Sequence, residues 1–596
     1  MNHVPFAQDT SRQSDSALVV QWLEALDAAL SGPDVAALEA LFAQDGHWRD
    51  LLAFTWSITP SAGAGRIARA LAQAQDEMRA RGFRLAAGRT PPRRLRRLGE
   101  EVIEAIFQFE TLHGRCDGVV RLRADAPSQA WVLLTSLEEL RGFEEKTNRR
   151  RPSGEAYSRN FGGDNWLDQR RKSEAFAGRD PAVLVIGGGQ AGLAIAARLR
   201  QLEVDTLVVE RNARIGDNWR NRYHSLALHN QIQVNHLPYM PFPPTWPKYL
   251  PKDMLANWLE TYAWAQELNV WTGTEFVGGH YNEQEGHWDV LLRGADGTER
   301  RFSPRHVIFA NGVSGIPRTP ALPGLEEFTG QVLHSHGYRE GSAWRGQKAL
   351  VLGTGNSGHD VAQDLHSHGV DTAIIQRGST TVVSIDPSAK LNYALYDEDA
   401  PLEDCDIIAT SSTYPLLIKG YQMAVQRMVE YDKDLIAGLI GKGFQYDLGE
   451  DGTGHQMKYR RRGGGYYLDA GCSDLIIKGE IGLLQFDQIE RFCPEGVRMK
   501  DGSVQSADLL VLATGYHTQQ ELVRQLLGDR VAEKIGEVWG IGDDGEMANM
   551  WKATAQPGLW FMAGALPQCR IYSKYLALQI KAIEEGLMPV PSMEAA

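Results

Sequence analysis

The stretch Pro181–Gly192 reads PAVLVIGGGQAG. Its first half is a continuous apolar run of strand length that stops at glycines, and Ala191–Leu202 beyond it carries helical periodicity, so strand, tight turn and helix follow one another. The turn has the form Gly187-x-Gly189-x-x-Gly192. The first glycine permits the turn, the second lets backbone N–H groups approach a pyrophosphate, and the third lets helix pack on strand. Gln190 and Ala191 stand where the helix would offer its free N–H groups. The next strand, Thr206–Val209, ends in Glu210, twenty-three residues after Gly187, where a carboxylate can accept hydrogen bonds from an adenosine ribose diol. Together these residues read as a dinucleotide site opening a parallel βαβ unit.

The arrangement recurs. Lys348–Leu352 (KALVL) reads as a strand, Gly353-x-Gly355-x-x-Gly358 as the turn, with Asn356 and Ser357 inside it, and His359–His368 as the helix. Val204–Arg211 (VDTLVVER) in the first unit falls in register with Val370–Arg377 (VDTAIIQR) in the second. The carboxylate slot of the first unit therefore holds neutral Gln376. A carboxylate would repel the 2′-phosphate of NADP; Gln376 would not, and Arg377 can pair with it. Arg211 fills the matching place in the first unit, so the lost acid discriminates, not the arginine. The expectation is FAD on the first fold and NADPH on the second. A terminal acceptor is then required.

The rest of the sequence sets bounds. The chain has 596 residues and a formal charge of −13, with 43% hydrophobic and 23% charged residues. It is long enough for several domains, and its acidity argues against nucleic acid as a partner. The five cysteines include no C-x-x-C pair, which disfavours a disulfide framework, a zinc finger or a redox dithiol and favours a reducing cytoplasm. No basic n-region followed by an apolar run begins the sequence, and no eighteen-residue apolar stretch occurs, so no membrane partner is expected. A homodimer is left open.

Ahead of the first glycine turn, Ala17–Leu30, Val35–Phe42 and Ile67–Met78 look helical, while Val102–Phe109, Gly118–Leu122 and Trp131–Leu134 look like strands. Residues 1–143 thus read as a small α+β unit. Residues 144–180 turn polar and basic without apolar periodicity and read as a linker. The α/β remainder divides into FAD-binding residues 181–338, an NAD(P)H-binding fold at 339–508 with an insertion at about 386–465 on the substrate side, and a second FAD segment at 509–596.

Phe328-x-Gly330-x-x-x-His334-x-x-x-Tyr338 lies just ahead of the second fold. It resembles the fingerprint of the class B flavoprotein monooxygenases, which include the flavin-containing and the Baeyer–Villiger monooxygenases. Baeyer–Villiger enzymes end this motif in Trp, so Tyr338 leans toward the flavin-containing monooxygenases. Gly216-Asp217-Asn218-Trp219 with Tyr223 resembles the family's G-G-x-W…Y segment, with Asp217 replacing a glycine. Gly355-Asn356-Ser357-Gly358 has the G-N-S-G form of flavin-containing and plant indole-3-pyruvate monooxygenases. Leu512-Ala513-Thr514-Gly515-Tyr516 resembles F-A-T-G-Y, and Phe309-Ala310-Asn311-Gly312 resembles an earlier A-T-G crossing. Gly558–Gly564 (GLWFMAG) reads as the last strand of the FAD fold.

The resemblance implies two Rossmann-like domains with the NADPH fold inserted in the FAD fold. It also implies a reaction in which NADPH reduces FAD, oxygen adds as a C4a-(hydro)peroxyflavin, and one oxygen atom enters a small N-, S- or carbonyl-bearing substrate. Asn230 matches the asparagine that the family places near the flavin peroxide, with Asn235 a competing position, and His334 joins it as a candidate catalytic residue. Cofactor contacts are expected from Gly187, Gly189, Gln190, Ala191, Gly192, Glu210, Arg211, Asn218 and Trp219 for FAD. Gly353, Gly355, Asn356, Ser357, Gly358, Gln376, Arg377, Thr514 and Gly515 are expected to serve the coenzymes on the second fold and at the crossing. The N-terminal unit resembles the cone-shaped nuclear-transport-factor-2-like superfamily, with His47, Asp45 and Asp50 as an acid/base candidate or, alternatively, as solvated groups of an interface domain. That extension also resembles ketone-accepting bacterial flavin-containing monooxygenases that use NADH as well as NADPH. An NADPH oxidase or reductase, and a ligand-binding module on a decayed flavin core, stand as alternatives.

Overall fold

The computed structural model of the chain describes residues 10–589 apart from 33, 155, 156, 158, 398 and 399. Val183–Ile186 lies at the centre of a five-stranded sheet ordered Val270–Thr272, Thr206–Glu210, Val183–Ile186, His306–Phe309, Leu559–Phe561. Every pairing in it is parallel. Parallel neighbours need a crossover, which the helix Gln190–Gln201 supplies between the first two strands. Cover on both faces explains why these strands are unbroken apolar runs instead of alternating ones.

A second parallel sheet is ordered Gln331–His334, Leu509–Leu512, Lys348–Leu352, Asp371–Gln376, Gly482–Gln485. Its membership corrects the expected boundaries at 338 and 509, because both Gln331–His334 and Leu509–Leu512 belong to the second sheet. Residues 310–330 and 513–518 therefore carry the chain between the folds, and the two crossings lie side by side. Arg318 N–H donates to Gly515 O at 3.0 Å and His517 N–H to Ile316 O at 2.9 Å.

The insertion leaves the second fold after the strand Thr381–Ser384 and returns at Tyr466–Asp469, which pair in parallel. Between them stand the helices Leu402–Ala409, Tyr414–Tyr431, Lys433–Gly441 and Gly454–Arg462. Residues expected to form a plain linker include a helix, Trp166–Ala175, closed by an Asn165–Asp168 capping box. End caps rather than an apolar stripe specify it, which is why periodicity missed it. It lies on the first sheet's edge, where Trp271 Nε1–H donates to Glu174 O at 2.7 Å.

In the N-terminal unit the helices Thr10–Ser31, Val35–Ala40 and Ala64–Met78 accompany a seven-stranded sheet. All three strand-like runs fall within Glu100–Glu110, Gly114–Arg123 and Ala130–Leu140. Four strands escaped the sequence reading, among them Phe42–Leu51, which pairs in parallel with Ala130–Leu140. The sheet's interior is filled by aromatics, with Phe83 and Phe109 stacked at 4.7 Å.

The acid/base candidates there do not converge. Asp45 is exposed and paired with Arg123 at 2.6 Å. His47 meets Thr413 Oγ1 of the insertion at 2.9 Å. Asp50 is buried and accepts hydrogen bonds from Phe54 N, Thr55 N, Thr55 Oγ1 and Thr135 Oγ1. Burial pushes its carboxyl up to about 6 against those four donors.

Instead, the unit meets the rest of the chain through buried polar contacts. Arg49 forks onto Glu546 at 2.7 and 2.6 Å and donates to Thr410 O at 2.7 Å. Glu138 pairs with Lys574 at 2.7 Å, and Ser136 meets Tyr575 OH at 2.9 Å. Truncating one partner of a buried pair strands the other charge, so R49A is expected to cost about 3–5 kcal/mol, read as a fall in Tm by calorimetry. The double variant R49M/E546L, which removes both charges, should recover most of that loss.

Candidate functional site

Two glycine turns face a common space, and each is built by the same steric necessity. Gly187 has φ +111°, and a β-carbon there would stand 2.8 Å from Ala310 O; at Gly192 it would stand 1.9 Å from Gly187 O. In the second fold, Gly353 has φ +120° and a β-carbon at Gly358 would stand 2.0 Å from Gly353 O. Only glycine fits. The helices that follow begin at Gly189 and Gly355, and neither start is capped by a side chain. Their first N–H groups and the positive ends of their dipoles point into the turn, as a pyrophosphate requires.

Glu210 ends its strand buried, with one carboxylate oxygen accepting from Gly188 N–H at 2.8 Å and the other from Asn212 N–H at 2.8 Å. The Asn212 side-chain amide also donates to the second of these oxygens, from Nδ2–H at 2.7 Å, so it is the oxygen facing Gly188 that keeps a lone pair for a ribose hydroxyl. Asn218 is exposed beside Gly189, and Arg211 is exposed. These residues fit the adenosine and pyrophosphate portion of FAD.

Gln376 behaves differently from the expectation of a cofactor contact. It is buried, its Oε1 accepts from Gln445 N–H at 2.8 Å and Gln485 Nε2–H at 3.0 Å, and its Nε2–H donates to Gln445 O at 3.0 Å. The amide is spent on the protein. Arg377 is exposed at the strand's end and Ser357 is half-buried in the turn.

A cavity of about 300 Å³ lies between the turns. Gln190 comes from the first turn and Asn356 from the second; Trp219, Leu228, His229, Asn230 and Asn235 come from the segment after the first fold's second strand. Tyr393, His455, Gln456 and Tyr459 come from the insertion, Tyr466 and Leu468 from the strand that closes it, and Ala565 and Leu566 from the start of the last helix, Leu566–Glu584. Trp219 Nε1–H donates to Gln190 Oε1 at 3.3 Å, and Asn356 Oδ1 accepts from Leu468 N–H at 2.8 Å.

Asn230 Nδ2–H reaches Tyr393 OH at 3.3 Å, while buried Asn235 donates its amide N–H to Asn230 O at 3.0 Å. The two asparagines that competed in the sequence thus have distinct places: the Asn230 side chain engages the insertion, and Asn235 braces the Asn230 backbone. Burial lowers the His455 ring to about 4, which keeps it neutral at physiological pH.

His334 stands apart. It ends the strand Gln331–His334 at the crossing, its Nε2 3.1 Å from Gly515 O, its Nδ1 accepting from His336 N–H at 3.0 Å, and its ring 5.4 Å from that of Tyr516. Burial lowers its pKa. Thr514 donates its hydroxyl to Arg318 O at 2.5 Å, so Thr514 and Gly515 clasp the two crossings together. Tyr338 is fully buried and donates its OH to Asp364 Oδ2 at 2.6 Å. Sequence reasoning missed Tyr393, His455 and Tyr459, since nothing in a polar, Tyr-rich insertion marks which side chains turn inward.

The pyridine nucleotide-disulphide oxidoreductase family matches residues 184–398, although all five cysteines are buried and free. Indole-3-pyruvate monooxygenase YUCCA1 of Oryza sativa subsp. japonica is 30% identical over 339 residues, 57% of this chain and 77% of that protein. Probable indole-3-pyruvate monooxygenase YUCCA7 of Arabidopsis thaliana is 30% identical over 340 residues, 56% and 74% of the two chains. The ε-caprolactone-bound crystal structure of cyclohexanone monooxygenase in its loose conformation has the same fold, with a TM-score of 0.50 and 17% identity over 68% of this chain and 88% of that one. No helix among the described residues is long and apolar enough to cross a membrane. The chain belongs to the flavin-containing monooxygenase family and is an FAD- and NADPH-dependent enzyme that inserts one oxygen atom into its substrate.

Proposed function

We propose that oxygen transfer takes place in the cavity between the two glycine turns, with FAD on the first fold and NADPH on the second. The observation that carries this reading is that Gln190 of one turn and Asn356 of the other line the same cavity. When bound, FAD accepts the hydride of NADPH and activates molecular oxygen. The residues of the chain bind, orient and exclude water. Uncapped helix starts at Gly189 and Gly355 hold the pyrophosphates, Glu210 takes a ribose hydroxyl on its Oε2, and Arg377 takes the 2′-phosphate. Asn230 offers an amide donor that carries no labile acidic proton, and neutral His455 does not supply one. The insertion walls one side of the space with Tyr393, His455, Gln456 and Tyr459, which limits the approach of water to the reacting centre. His334, on the crossing, serves to position the two folds rather than to touch the substrate.

The substrate we assign is a small neutral carbonyl compound, sulfide or uncharged amine. Among the described residues, none of the side chains lining the cavity is Lys, Arg, Asp or Glu, and a buried carboxylate without a cationic partner is strongly disfavoured. The relatives named for indole-3-pyruvate act on a carboxylate-bearing substrate, so this chain's preference diverges from theirs. For the N-terminal unit we propose a nuclear-transport-factor-2-like cone that serves as an intramolecular scaffold, because its interior is packed with aromatics and Asp50 is fully hydrogen-bonded. The crossings then divide the remainder into an FAD fold of residues 181–310 and 519–589 around an NADPH fold of residues 331–512.

Two measurements bear on this. R377A should raise KM for NADPH about tenfold, the worth of one exposed charge-assisted hydrogen bond, and leave KM for NADH near its original value; equal effects on both coenzymes would remove the 2′-phosphate role. In a panel of neutral ketones and sulfides set against indole-3-pyruvate, products heavier by one oxygen should form from neutral members with NADPH consumption to match. Preferential turnover of the α-keto acid would overturn the neutral-substrate assignment.

A further inference from the structure

The geometry points to Arg570 as a positioning residue for the oxygen-transfer step, acting with Asp406 to hold the loop that carries Asn230; this rests on the reading of Asn230 as the amide facing the reacting centre. Arg570 is only 5% exposed and sits one turn into the last helix, whose first residue lines the cavity. Its Nε–H and Nη2–H fork onto the two oxygens of Asp406 at 2.8 Å each, and its Nη1–H groups donate to Val234 O at 2.8 Å and His236 O at 2.7 Å. Asp406 lies in the insertion and also accepts from Tyr396 OH at 2.8 Å.

One guanidinium therefore fastens three parts of the chain: the last helix, the loop through 234–236, and the insertion. Both routes from it end at Asn230. Along the loop, Asn235, flanked by the two carbonyls that Arg570 holds, donates to Asn230 O at 3.0 Å. Through the insertion, Asp406 fixes Tyr396, three residues beyond Tyr393, where the backbone of Ala389–Asp397 kinks, and the Tyr393 hydroxyl accepts from Asn230 Nδ2–H. Backbone and side chain of Asn230 are thus referred to a single buried charge pair. Arginine is required because the site needs a planar fork toward the carboxylate and additional donors toward two carbonyls, a set that a lysine ammonium does not span. None of these contacts touches the second nucleotide fold's glycine turn or Arg377, so hydride delivery and oxygen transfer should separate on substitution.

The test uses the FAD-loaded full chain with R570K, N230A and the double variant, with D406N giving the same readings should R570K not retain flavin. R570K is expected to speed amide hydrogen exchange in residues 228–237. It should also lower oxygenated product per NADPH by about threefold or more, with hydrogen peroxide making up the difference, while anaerobic flavin reduction by NADPH stays within about twofold of the parent. Adding R570K to N230A should cause little further loss of product per NADPH, as expected of residues acting through one group. Unchanged exchange in 228–237 would overturn the hub itself. Additive losses, or an equal fall in flavin reduction, would overturn its action through Asn230. If exchange rises but N230A alone keeps full product per NADPH, the reading of Asn230 fails and the functional role of Arg570 falls with it.

Discussion

At residue 192 a β-carbon would stand 1.9 Å from the carbonyl oxygen of Gly187, and at residue 358 one would stand 2.0 Å from that of Gly353. Those two close approaches organise the molecule. Each lets a helix start directly over the end of a central strand, which aims uncapped N–H groups at an anion and spends no side chain on binding it. With side chains freed from that task, Gln190 and Asn356 turn toward the shared cavity. The insertion then needs only to roof the space, and it does so with tyrosines, Gln456 and a histidine kept neutral by burial.

The parts of the fold legible in the sequence were those whose neighbours are close along the chain. Val183–Ile186, Thr206–Glu210 and Lys348–Leu352 announced themselves as apolar runs abutting glycines, and the register between Val204–Arg211 and Val370–Arg377 exposed the repeat. The strand Gln331–His334 was obscured because it pairs with Leu509–Leu512, far away in sequence, and carries a motif that invited a catalytic reading. Phe42–Leu51 was obscured because its charged members, Arg49 and Asp50, are buried against partners contributed by distant elements.

In the site, the glycines and Glu210 could be found by spacing alone. That Gln376 stands where the first unit has an acid is read from the register of the two units, whereas its hydrogen bonds to Gln445 are visible only in three dimensions. The same limit hid Tyr393, His455 and Arg570, since which polar residues of a helix turn inward depends on what packs against that helix.

The strand order of the first sheet also dictates a timetable. Its last member, Leu559–Phe561, leaves the ribosome after every strand of the second sheet has been made. During synthesis the second sheet can close while the first still lacks an edge, and the last helix, with Lys574, Tyr575 and Arg570, follows later still. The N-terminal unit, complete at about residue 140, must keep Arg49, Ser136 and Glu138 available for partners that do not yet exist. The first sheet is therefore completed after the second, and a nascent chain truncated before residue 559 would hold all five strands of the second sheet but lack the edge strand of the first.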